Sequence, residues 1–112
     1  MSEQPIIKAE EAAVISLADS TRYADNGIVS RTVLQTANVR QILFGFAEGE
    51  ELTEHTSSQH AIIQMLSGEC DFKVSGISHQ LKPGDLLSMP PHAPHAVKAT
   101  TRFSMLLTLI KP

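Results

Sequence analysis

The sequence predicts an all-β, single-domain fold, a small jelly-roll β-barrel preceded by an N-terminal arm. Three observations carry that expectation. After Asn38 short runs of β-forming residues recur at close spacing, each run ends at a glycine or proline turn, and almost no helical period follows. A chain of 112 residues has room for one domain, and 42% apolar against 19% charged residues is enough to close a core. No long helix is available to cover a parallel sheet, so the strands must bury one another. Closing a sheet on itself also removes the exposed edges that invite aggregation. The expected division is an arm with a short strand over residues 1–30 and a barrel over residues 31–112.

The elements follow in order. Within the arm, Glu10-Glu11-Ala12-Ala13-Val14 has helical composition, whereas Ile15-Ser16-Leu17 and Ile28-Val29 read as extended. Val39-Arg40-Gln41-Ile42-Leu43-Phe44-Gly45-Phe46 is a strand that ends at Glu48-Gly49-Glu50. Ala61-Ile62-Ile63-Gln64-Met65-Leu66 and Cys70-Asp71-Phe72-Lys73-Val74 flank Ser67-Gly68-Glu69 and form a hairpin, with Cys70, Phe72 and Val74 on one face. Ser75-Gly76 turns the chain into His79-Gln80-Leu81. Lys82-Pro83-Gly84-Asp85 then places Pro and Gly at the centre of a type II turn. A strand from Asp85 to Met89 leads into a loop where Pro90, Pro91 and Pro94 deny backbone donors. His95-Ala96-Val97-Lys98-Ala99 resumes the strand pattern. The last run, Arg102 to Ile110, puts Phe103, Met105, Leu107 and Leu109 on one face.

Composition excludes several classes of function. Nine Lys and Arg against twelve Asp and Glu, with no basic block and few aromatic residues, argue against nucleic acid as a partner. The longest apolar runs, such as residues 105–107, are far short of the roughly 20 residues of a membrane span. The acidic start Met1-Ser2-Glu3-Gln4 is unlike a charged signal region, so the expected location is cytoplasmic with no membrane partner. A single cysteine, Cys70, makes neither an intrachain disulfide nor a thiolate zinc cage. Its alternation with Phe72 and Val74 marks it as a small buried hydrophobe rather than a nucleophile.

Five histidines are the residues that suggest chemistry: His55, His60, His79, His92 and His95. His55 follows a strand-ending turn and His95 opens a strand after the proline loop. A closed barrel brings both imidazoles inward at one mouth, which is how a barrel builds a pocket. If Ala61 faces the interior, strand alternation sends its neighbour His60 outward. His79 reads as an exposed hairpin residue, and His92 as part of the pocket mouth. Glu48, Glu50, Glu51 and Glu54 form an acidic turn that reads as solvated surface, with the alternative that Glu50 or Glu54 orients a pocket histidine.

These residues carry a resemblance to the cupin superfamily. Gly49, His55 and Gly68 stand at the spacing of its first signature, and Gly84, Pro90 and His95 at that of its second. The similarity covers residues 39–110, and two separately spaced motifs in one short all-β chain are more specific than either alone. It implies a jelly-roll barrel, often dimeric, with a small-molecule pocket and frequently one divalent metal ion. A metal-binding cupin supplies two histidines one residue apart, then a glutamate, then a histidine from the second motif. Here His55 and His95 match, while Ser57 and Ala61 stand at the other two ligand positions, and His92 replaces a glycine. His60 is the candidate to make up the deficit.

Two functional readings follow. In the first, a small single-domain cupin binds a small organic molecule, with His55, Ser57, His92 and His95 lining the pocket. In the second, His55, His95 and His60 hold a divalent ion in an isomerase, decarboxylase or dioxygenase type of enzyme. Imidazole suits Zn, Fe, Ni, Mn and Cu alike, so the residues do not choose the metal. A homodimer is expected, with the apolar C-terminal strand and the N-terminal arm packing across a two-fold axis.

Overall fold

The computed structural model describes residues 4–112, so the acidic start Met1-Ser2-Glu3 lies outside the described residues. One short helix, α1 (Leu17–Ser20), precedes nine strands: β1 (Ile28–Gln35), β2 (Val39–Phe46), β3 (Glu51–His55), β4 (His60–Ser67), β5 (Cys70–Val74), β6 (Ile77–Leu81), β7 (Leu86–Met89), β8 (His95–Ala99) and β9 (Phe103–Ile110). They form a five-stranded sheet in the order β1-β2-β9-β4-β7 and a four-stranded sheet in the order β3-β8-β5-β6. All pairings are antiparallel, and the two sheets face each other in the jelly-roll arrangement. Among the described residues no helix is long and apolar enough to cross a membrane.

The expected alternations meet between the sheets. Ile63 and Met65 of β4, Cys70 and Phe72 of β5, Val97 of β8 and Phe103 and Met105 of β9 are all buried in one core. Its far end is filled by Phe46 and Phe103, whose rings stack with centroids 4.4 Å apart. Positive φ angles at Gly68 and Gly84 close the turns that the sequence places there, and Asp85 N–H donates to the Lys82 carbonyl across the second (3.0 Å).

The arm differs from expectation. Its extended residues 28 and 29 are the beginning of β1, so the first barrel strand straddles residue 30, and the earlier segment makes a single helical turn capped by the Ser16 hydroxyl, which accepts from Asp19 N–H. Ile6, Ile7, Ile15 and Leu17 pack on Val33, Leu43 and Leu106, on the outer face of the five-stranded sheet. Ile6 N–H and Ile7 N–H donate to the Thr32 and Val33 carbonyls at 3.0 and 2.8 Å. The chain thus covers that apolar face with its own N-terminal segment, and β9 lies centrally between β2 and β4.

Tyr23 pins the end of the arm. Its hydroxyl lies 3.2 Å from Ser67 Oγ, itself 2.6 Å from Ser104 Oγ, and the Arg102 guanidinium sits 3.7 Å over its ring. Burial opposes ionisation of this phenol, but hydrogen bonding to Ser104 and Ser67 and the Arg102 charge outweigh it and hold its pKa below the ordinary tyrosine value. Gly45 of β2 makes the close approach possible, because a Cβ there would run into the Arg22 carbonyl and press on the Tyr23 ring. Gly45→Ala is therefore expected to displace residues 22–23 while the barrel persists, at a cost of about 1–3 kcal/mol. Limited proteolysis checks this: cleavage should accelerate in the arm and leave the strands after Val39 intact.

Candidate functional site

The two inward histidines meet because β3 carries one extra residue. Leu52 pairs with Val97 and His55 pairs with His95, so three steps along β3 match two along β8. Regular alternation from Leu52 would turn His55 outward; the bulge inverts the phase and aims it at the interior. His95 lies between His55 on one side and Val74 of β5 on the other. The two imidazole rings are 4.2 Å apart between centroids and inclined at 62°, and Phe72 lies 6.1 Å from the His95 ring at 23°. His95 is 9% exposed, whereas His55 is exposed at the rim.

Each ring is oriented by its own backbone. His55 Nδ1 is 2.8 Å from the Thr53 carbonyl and His95 Nδ1 is 2.9 Å from the Ala93 carbonyl. A carbonyl only accepts, so both Nδ1 atoms carry hydrogen, and each neutral ring keeps a bare Nε2. Glu50, the carboxylate placed to do this work, instead accepts from Gly27 N–H at its Oε1 (2.9 Å) and ties the start of β1 to β3.

The pair caps a cavity of about 250 Å³ between the sheets. Apart from His55, His95 and Ser57, its walls are apolar: Phe44, Leu52, Ala61, Ile63, Phe72, Met89, Val97, Met105, Leu107 and Leu109. Ser57 Oγ accepts from Gln59 N–H at 3.1 Å. All of these residues lie on strands except Ser57, which sits in the loop between β3 and β4.

The remaining histidines stand apart. His60 opens β4 with its Nε2 2.7 Å from Ser88 Oγ of β7, while its neighbour Ala61 is buried and lines the cavity. It is on the outer face, as alternation requires, and is not brought to the pair. His92 is exposed and does not line the cavity; its contribution is through the backbone, where its N–H donates to the Ser57 carbonyl at 2.7 Å. It does so at φ 71°, a left-handed conformation that ordinarily favours glycine. His79 is half-buried on β6 opposite Phe72 of β5, outside the cavity lining.

The donor set does not fit a divalent metal. Such ions ordinarily take at least three protein ligands, and His55 and His95 supply two. Of the other lining residues, Ser57 offers only a hydroxyl and Ala61 only a methyl group, and among the described residues no group of three His, Cys, Asp or Glu side chains converges to hold an ion. Cys70 is no substitute, being fully buried with its Sγ 3.8 Å from Met65 Sδ. Burial first, and the Asp71 carboxylate second, push its thiol pKa up to about 12. The folded protein is expected to leave an aromatic disulfide reagent unreacted at pH 8, and to release one equivalent of thiolate once denatured, read by absorbance.

Comparison with known proteins agrees with this architecture. Residues 42–110 match the Cupin domain family. Among solved structures, a conserved protein of unknown function from Streptococcus pyogenes superposes with a TM-score of 0.85 at 29% identity, over 100% of this chain and 96% of that one. A cupin superfamily protein from Desulfitobacterium hafniense gives 0.84 at 27% identity, covering 93% and 95%. A Cupin 2 conserved barrel domain protein from Leptotrichia buccalis gives 0.82 at 33% identity, covering 87% of this chain and 47% of that chain. No match emerges among curated proteins. With the family match spanning most of the strands and both histidines of the pair, the chain belongs to the cupin domain family.

Proposed function

We propose that this cupin binds a small, largely apolar organic molecule in the barrel cavity, with the polar end of the ligand against His55 and His95. One observation carries the reading: an apolar cavity of about 250 Å³ is lined by three polar residues, His55, Ser57 and His95, with the two imidazole rings 4.2 Å apart. For scale, an engineered apolar cavity of roughly 150 Å³ in another protein takes up benzene. A substituted six-membered ring therefore suits this volume. The alternative, a metal-dependent isomerase, decarboxylase or dioxygenase, needs donors that Ser57 and Ala61 do not provide.

The test combines elemental analysis with a thermal-shift screen of small cyclic and short-chain compounds on wild type, His55→Ala and His95→Ala. A ligand at about a hundredfold over its Kd adds roughly 2.7 kcal/mol, a shift on the order of 10 °C for a domain of this size. That shift is expected in wild type and largely lost in both variants. One equivalent of divalent metal that survives dialysis and disappears in both variants would overturn the reading.

A further inference from the structure

We infer that the cavity selects a ligand whose head group donates a hydrogen bond, and that the ligand class is a neutral hydroxylated ring of the phenol type rather than a carboxylate. This rests on the reading of the cavity as a ligand site and specifies its chemistry.

The argument begins with what the backbone does to the imidazoles. The Thr53 and Ala93 carbonyls each take the hydrogen of an Nδ1, at 2.8 and 2.9 Å. Two bare Nε2 acceptors are thereby left on rings 4.2 Å apart, and neither has a partner among the described residues. The third polar group, Ser57, already accepts from Gln59 N–H and keeps its own hydroxyl hydrogen to give. No Lys, Arg, Asn or Gln side chain lines the cavity.

A carboxylate entering this cavity while both imidazoles are neutral meets two acceptors and a single donor, Ser57 Oγ–H, with no Lys or Arg lining the site to offset its desolvation. A hydroxyl group matches instead. Its hydrogen donates to one Nε2 while its oxygen accepts from Ser57 Oγ–H. Among the lining residues, Phe44 and Phe72 contribute aromatic rings and Met89 and Met105 polarizable side chains, the surroundings that favour an aromatic ring over a linear chain.

The experiment uses the full chain treated with chelator, at about pH 8, and follows amide shifts by NMR on titration with p-cresol, toluene and p-toluate. The three share a methylated ring and differ in head group: a donor, none, and an anion that only accepts. Binding of p-cresol is expected to be about tenfold tighter than that of toluene, the worth of one hydrogen bond in a desolvated site, and tighter than that of p-toluate. His55→Ala at the exposed rim and the ring-preserving His95→Phe should each reduce the advantage of p-cresol over toluene to threefold or less, with toluene still binding. Equal affinity for p-cresol and toluene, or tighter binding of p-toluate, overturns the donor inference and leaves the cavity as a ligand site. Absence of binding by all three at millimolar concentration overturns both.

Discussion

Replacing Phe103 by alanine is expected to cost roughly 3–5 kcal/mol, a large share of the stability of a domain whose total is typically about 5–15 kcal/mol. Phe103 is 0% exposed and its ring stacks on Phe46, also 0% exposed, at 19° between planes. It begins β9, the strand held between β2 and β4, and its Cα and Cβ stand directly beside Gly68, so the surrounding backbone has little freedom to collapse into the vacancy. A urea denaturation midpoint measures the loss. Leu86→Ala, at a 61% exposed side chain on the short edge strand β7, is the control and should change stability by no more than about 0.5 kcal/mol. In a double-mutant cycle, Phe46→Ala and Phe103→Ala should show a coupling of about 0.5–1.5 kcal/mol from the stacked rings. A loss below about 1 kcal/mol for Phe103→Ala would mean that this end of the barrel is not where its stability resides.

What could be read in advance, and what could not, divides along physical lines. The faces formed by Cys70, Phe72 and Val74, and by Phe103, Met105, Leu107 and Leu109, were legible because each strand buries one side against the other sheet, and a period of two results. The turn at residues 82–85 was legible because proline and glycine restrict the backbone locally. Sheet order was not, since the central place of β9 depends on pairing with residues 37 to 71 positions away and leaves no periodic trace. The arm resisted for a different reason. Ile6, Ile7, Ile15 and Leu17 bury themselves against a sheet without forming a long helix or a ladder of their own, so their spacing follows no period. At the site, the identity of the pair was visible in the spacing of His55 and His95. The bulge that turns His55 inward was not, because one extra residue between Leu52 and His55 is indistinguishable from a regular strand until its partner is known. The orienting groups were missed as well. Acidic neighbours such as Glu50 attract attention in a sequence, whereas the carbonyls of Thr53 and Ala93 belong to every chain and declare themselves only in space.

Supplying the two missing donors should convert this cavity into a metal site, and the size of that change tests the account of why the present residues do not form one. Ser57 and Ala61 line the same cavity as His55 and His95, so the double variant Ser57→His, Ala61→Glu gives four donors where two now stand. Ala61 is 4% exposed, and a carboxylate placed there without a partner pays for desolvation, so the metal-free variant is expected to melt below wild type. A divalent ion then offsets that cost, since whatever binds the folded state alone adds to its stability. The expected result is one equivalent of zinc or nickel retained through dialysis by the double variant, with its melting temperature restored by the ion, while wild type retains none above background. Adding His95→Ala should abolish the retention. If the double variant stays metal-free, the side chains at positions 57 and 61 do not converge on the imidazole pair, and the geometry of the mouth, not the identity of its residues, is what keeps a metal out. If wild type itself retains a full equivalent, two imidazoles suffice here and the ligand count argued from His55 and His95 is incomplete.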